Sequence, residues 1–192
     1  ETEDVTIADL AVATNAGRDF TIKVDAAGLQ PGRTYYYGFE ALGEQSPVGR
    51  TRTLPSGNVE RVRLAHVSCS NYPAGYFNVY RCIANRDDLD AVVHVGDYIY
   101  ESSNKNFKIR AHESGMPFSL AEYRARHAHY KSDPDLQACH AAHPWLMTWD
   151  DHEVVNDYAN DLDRNFTDPA VFLQRRAAAY QAYFEHMPLR LG

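Results

Sequence analysis

Cysteine is scarce. Three residues, Cys69, Cys82 and Cys139, occur in 192. They are too few and too scattered for a disulfide framework, and an odd number leaves at least one thiol free if the other two pair. Cysteine usage alone therefore does not fix the compartment. Positive charge is also in deficit: 19 Lys and Arg face 26 Asp and Glu, a formal net charge of -7. A general binder of nucleic acid or anionic membrane needs the opposite balance, so no nucleic-acid partner is expected. An anion site built on bound cations stays open, because acidic ligands and metal ions cancel locally. Long hydrophobic runs are missing, and no stretch is apolar enough for long enough to cross a bilayer. The start ETEDVTIADL is acidic and polar, with no visible signal peptide. The first residue is not Met, which points to processing or truncation.

The composition is that of a soluble globular chain, with 44% hydrophobic and 23% charged residues. The length suits one or two domains. Residues 1–55 read as β. Phe20, Ile22 and Val24 alternate with Thr21, Lys23 and Asp25, the period of a half-buried strand. A Pro31-Gly32 turn leads into the aromatic strand RTYYYGFEAL, and SPVGRTRTLP makes a third strand. So few strands give a poor independent core. This part therefore reads as the remnant of a small, fibronectin-like β-sandwich whose first strands are absent.

After a linker at PSGNVE the pattern becomes α/β. RVRLAHVS is an apolar strand. GYFNVYRCIANRDDL sets Phe77, Tyr80, Ile83 and Ala84 on one helical face, and DAVVHVGD reads as a strand buried on both sides. Strand, helix, strand is a βαβ unit. Ser119 and Glu122 form a capping box before a second helix. Asp133-Pro134 and Asp168-Pro169 open two more helices, the last stopping before Pro188. PWLMTWDDHE is the third buried strand. Residues 56–192 are expected to form this α/β unit.

Each of these strands ends in groups suited to a metal: Cys69, Asp97, and the run Asp150-Asp151-His152-Glu153. Ligands in open α/β sheets bind beyond the carboxyl ends of the strands. Bland readings compete. Asp97 could be a turn-forming Asp, and Cys69 could be an inert core thiol. His152 could be a ligand, a general acid or a satisfied histidine. Tyr100 does not stand out among 13 tyrosines. His94, inside a strand, reads as hydrogen-bonded core. Arg124, Arg126 and Lys131 read as a solvated basic helix face, able to meet a phosphate if a metal site is near. An acidic cluster at a strand tip is repulsive unless a cation or solvent relieves it.

SCSNYPAGYFNVYR, DAVVHVGDYIYE, EYRARHAHYKSDPDLQ and WDDHEVVNDYAND, in this order, resemble the alkaline phosphatase D (PhoD-like) family of metallophosphoesterases. GLQPGRTYYYGFEA with SPVGRTRTLP resembles the end of that family's N-terminal sandwich. The resemblance implies an α/β fold: part of a metallophosphoesterase sheet-and-helix domain, residues 56–192, preceded by the sandwich remnant, residues 1–55. It implies a secreted or periplasmic bacterial hydrolase of phosphate mono- and diesters holding ferric iron (Fe3+) and calcium (Ca2+). By position, Cys69, Asp97 and Tyr100 fall on the iron side. Asp151 or Asn156 falls on the calcium side, His152 faces the substrate phosphate, and Arg124 is a candidate substrate contact. Further ligands are expected from a segment after residue 192, which would make this chain a fragment, inactive alone, with that segment as its partner. Two alternatives remain at this point: a metal-free glycoside hydrolase using the DDHE carboxylates, and a non-catalytic binding module.

Overall fold

The computed structural model describes residues 9–102, 106 and 109–189. The N-terminal part holds β1 (Thr34–Tyr37), β2 (Glu40–Ala41), β3 (Glu44–Gln45) and β4 (Gly49–Arg52). β1 pairs antiparallel with β4, and β2 with β3 across Leu42-Gly43. Among the described residues before Ser70, only Gly49 is buried. This part has no core of its own, as expected of so few strands.

The α/β unit follows as β5 (Leu64–Val67), α1 (Asn78–Ala84), β6 (Ala91–Val95), α2 (Leu120–Lys131), α3 (Pro134–Ala142), β7 (Trp145–Thr148) and α4 (Pro169–His186). The sheet order is β5-β6-β7, all parallel. The registers place Val92 beside Ala65 and Trp145, and His94 beside Val67 and Met147. That face carries the core, together with Phe77, Tyr80 and Ile83 of the α1 region, Tyr123 and Tyr130 of α2, Leu136 of α3, and Phe172 and Tyr183 of α4. The caps are those the sequence signals. Ser119 and Glu122 close a capping box on α2, while Asp133 and Asp168 accept main-chain N–H groups at the starts of α3 and α4.

Three expectations are corrected. First, Phe20–Val24 forms no strand. Its alternation is real, but a strand needs a neighbour for its peptide groups, and none among the described residues pairs with it. The segment lies instead against α4: Lys23 Nζ donates to the Met187 carbonyl and sits 4.7 Å from the Phe184 ring centroid. Second, the sheet is not buried on both sides. Leu64, Val95 and Leu146, on the face opposite the core, are exposed among the described residues. Third, α2 has no solvated basic face. Arg126 is 1% exposed, and Arg124 forms a two-pronged ion pair with Glu185 of α4 while also donating to the Gly17 carbonyl.

Candidate metal centre

The carboxyl ends of the three parallel strands meet. The chain leaves β5 at Cys69 and β6 at Asp97, both in the left-handed region with φ of 57° and 56°. Non-glycine residues in that region cost energy, and such outliers cluster at functional sites. Gly96 precedes Asp97 with φ of 108°, and a Cβ there would collide with Asp150. Glycine lets the β6 tip approach the β7 tip that closely. Main-chain bonds from Cys69 N to Gly96 O (3.2 Å) and from Ser70 N to Asp97 O (2.8 Å) tie the β5 tip to the β6 tip.

Glu153 ties β6 to β7. Its carboxylate accepts the main-chain N–H of Tyr98 (2.6 Å), Asp97 (3.1 Å) and Asp150 (2.8 Å). Burial pushes its pKa up to about 7, against the opposing pull of those three donors.

The donors converge on Asp97. Its Oδ2 lies 3.5 Å from the Cys69 Sγ and 3.1 Å from the Tyr100 Oη. Its Oδ1 accepts the His152 main-chain N–H at 3.4 Å. Ligand atoms of Asp97, Asp151 and His152 all lie within 4.8 Å of one another. Burial raises the Asp97 pKa, opposed by His152, Cys69 and Tyr100. Burial, then the Asp97 carboxylate, holds the Tyr100 phenol well above its ordinary range. Asp151 accepts the Asp157 main-chain N–H. The Asn156 main-chain N–H donates to Glu101 at 3.2 Å, and its side-chain amide turns to Asp157 at 3.0 Å.

His152 is held by two groups. Its ring stacks on Tyr100 with centroids 4.0 Å apart, and its Nδ1 is 2.7 Å from Glu101 Oε2. Burial pulls the His152 pKa down, but Glu101, Asp97 and Asp151 outweigh it, and the net shift is upward. Glu101 is the counterpart. Burial raises its pKa, yet His152 and the Asn156 N–H bring it below the ordinary value.

The residues fit metal ions. Thiol, phenol and carboxylate crowd one point, and their deprotonated forms together carry three negative charges that a highly charged cation would offset. Phenolate and carboxylate are hard donors, and thiolate adds covalency. Asp151 supplies the oxygen chemistry that suits calcium.

Of the expected site residues, the structure brings Cys69, Asp97, Tyr100, Asp151 and His152 together, with Asn156 joined through Glu101. Arg124 is not brought there, because its guanidinium is spent on Glu185 and the carbonyls of residues 16 and 17. Sequence reasoning gave no role to Glu101, although an acid four residues after Asp97 in GDYIYE was the available cue; its burial is visible only in the structure. It read Arg126 only as part of a solvated basic face and left Tyr130 unassigned, although their i, i+4 spacing put them on one face of α2.

Comparison with known proteins agrees with this architecture. Residues 64–192 match the PhoD-like phosphatase family, and residues 2–55 match the PhoD-like phosphatase, N-terminal domain. Alkaline phosphatase D of Bacillus subtilis (strain 168) is 48% identical over 179 residues, covering 90% of this chain and 30% of that protein. A solved structure described as "Structure of PhoD" superposes with a TM-score of 0.84 at 48% identity, over 88% of this chain and 33% of the other. The chain thus spans about a third of the length of the relatives it matches. The α/β sheet with its three converging tips falls wholly within the match at residues 64–192, and by that match the chain belongs to the PhoD-like phosphatase family.

Proposed function

We propose that this chain carries one part of the metal centre of a phosphoesterase that hydrolyses phosphate mono- and diesters with an activated water. The observation that carries the reading is the convergence of the Cys69 thiol and the Tyr100 phenol on one oxygen of Asp97, beside Asp151 and His152. Cys69, Asp97 and Tyr100 would hold ferric iron, and Asp151 with Asn156 would hold calcium. When bound, such ions supply Lewis acidity, lowering the pKa of water and offsetting charge on phosphoryl oxygens.

The chain's own residues then have distinct tasks. Glu101 fixes the tautomer and orientation of His152 by occupying Nδ1, so Nε2 is the nitrogen that faces the ester. The raised pKa keeps a proton available there for the leaving-group oxygen. Glu153 and Gly96 hold the β6 and β7 tips at the spacing the cluster needs. A secreted or periplasmic location is proposed on family membership alone.

Elemental analysis of the complete protein that carries this chain, paired with a phosphodiester assay before and after chelation, tests the reading. The expected results are iron and calcium in the protein, a visible colour from thiolate and phenolate bound to iron, activity lost on chelation, and iron lost in Asp97→Ala. A colourless, metal-free and fully active protein overturns it.

A further inference from the structure

We propose that Arg126 and Tyr130 are positioning residues that hold Tyr100 as an iron donor by gripping its backbone from both sides. The proposal rests on the reading of Tyr100 as a metal donor given above. The two residues stand four apart on α2 and so project from one face of the helix. Both are fully buried, at 1% and 0% exposure. Tyr130 Oη accepts the main-chain N–H of Tyr100 at 3.1 Å. Arg126 Nη1 donates to the Tyr100 carbonyl and, at 3.0 Å, to the Glu101 carbonyl. The donor and the acceptor of residue 100 are thus both taken by side chains one helical turn apart. No regular element holds this residue, since β6 ends at Val95 and α2 begins at Leu120.

The grip extends to the neighbouring loops. Tyr130 Oη also accepts the main-chain N–H of Tyr72 at 3.2 Å, three residues after Cys69. One phenolic oxygen therefore fastens the Cys69 loop to the Tyr100 loop. Arg126 Nη2 reaches the carbonyls of Ser114 (3.1 Å) and Gly115 (2.6 Å). His112 closes the network, with Nδ1 at 2.9 Å from Arg126 and Nε2 at 3.1 Å from Tyr130. A buried guanidinium is expensive unless its donors are used; Nη1 and Nη2 are spent on the loops and not on the helix, while Nε has no partner among the described residues. The consequence is local. With its backbone fixed, the Tyr100 phenol stays 3.1 Å from Asp97 and its ring stays stacked on His152.

The test uses Tyr130→Phe, which removes one oxygen, and Arg126→Lys, which keeps charge but loses the planar fork. In the metal-free protein, amide hydrogen exchange at Tyr100 is measured. In the iron-loaded protein, the phenolate-to-iron absorption band and iron retention against a chelator are measured. The expected result in Tyr130→Phe is exchange at Tyr100 faster by about tenfold, the loss of one hydrogen bond, with α4 amides unchanged. Both variants should shift or weaken the band and retain iron less tightly by about 10- to 100-fold. Faster exchange with an unchanged band and unchanged retention makes the grip structural only and overturns the proposal. An unprotected Tyr100 amide in the wild-type protein overturns it without any variant, so a variant that fails to fold does not shield it. If the wild-type protein binds iron with no such band and Tyr100→Phe binds it equally well, the donor reading itself falls. That outcome is distinct from a failed grip, and the positioning role falls with it.

Discussion

The Glu101 carboxylate lies 2.7 Å from His152 Nδ1, although the two residues come from separate loops 51 positions apart in sequence. Glu101 leaves β6 four residues after Asp97, while His152 leaves β7 next to Asp151. Glu101→Gln keeps the shape and one acceptor but removes the charge that supports a proton on His152. Phosphodiester hydrolysis should fall by about 10- to 100-fold. The loss should be larger for alkyl leaving groups than for nitrophenyl ones, because a poor leaving group depends more on protonation. Equal losses for both substrates would remove His152 as the acid.

Glu153 supports the tips through main-chain groups, without bonding the side chains of the donors. Its two oxygens accept three main-chain N–H groups. In Glu153→Gln an amide NH2 must face at least one of these donors, leaving an N–H unpaired in a buried place. We expect a loss of roughly 1 to 3 kcal/mol of stability, read as a lower urea midpoint in the metal-free chain. An unchanged midpoint would show that water replaces the carboxylate freely.

Much of this was readable from local pattern. The helix starts at Ser119, Asp133 and Asp168 follow from side chains that satisfy the first N–H groups, a rule acting over three residues. The tips at Cys69, Asp97 and Asp151 follow from apolar runs that end in polar residues. The failures all involve partners remote in sequence. Phe20, Ile22 and Val24 alternate as a strand does, yet alternation says nothing about whether a neighbour exists. Arg124 and Arg126 look alike in EYRARHAHY. One meets Glu185 from α4, and the other meets carbonyls of the Tyr100 loop. Glu101 is buried by loops whose meeting no local rule specifies.

Gly96 joins two demands in one position, a left-handed φ and contact with Asp150. Gly96→Ala meets both penalties, strain of order 1 to 3 kcal/mol and a displaced β7 tip. Iron retention should fall along with stability, because Asp97 and Asp151 sit on the two tips being forced apart. A variant with native stability and native iron content would show that the close approach is incidental.

Buried histidines set the response to acid. His94 is fully buried, with Nε2 3.0 Å from Ser70 Oγ and Nδ1 accepting the Gly96 N–H. Burial, aided by His66, holds its pKa down at about 4. Burial likewise holds His112 near 3, with help from Arg126 and His129. His127 and His140 are held well below their ordinary value of 6.5 by burial, then by neighbouring bases. In the unfolded chain these rings take up protons below pH about 6.5, while in the folded chain they stay neutral. The unfolded state therefore binds more protons, and stability is full above that pH and declines as pH falls toward 4. A ring such as His94 accounts for about 2 kcal/mol of loss at pH 5. Urea unfolding of the chelated chain at pH 7.5, 6 and 5 should show the midpoint falling steadily. His94→Gln should flatten part of that fall, since it removes one of the rings that titrates only on unfolding. Glu153, raised to about 7, gains a proton in the folded state over this range and offsets only about one such ring, so a midpoint independent of pH would overturn the prediction that the buried rings stay neutral in the folded chain.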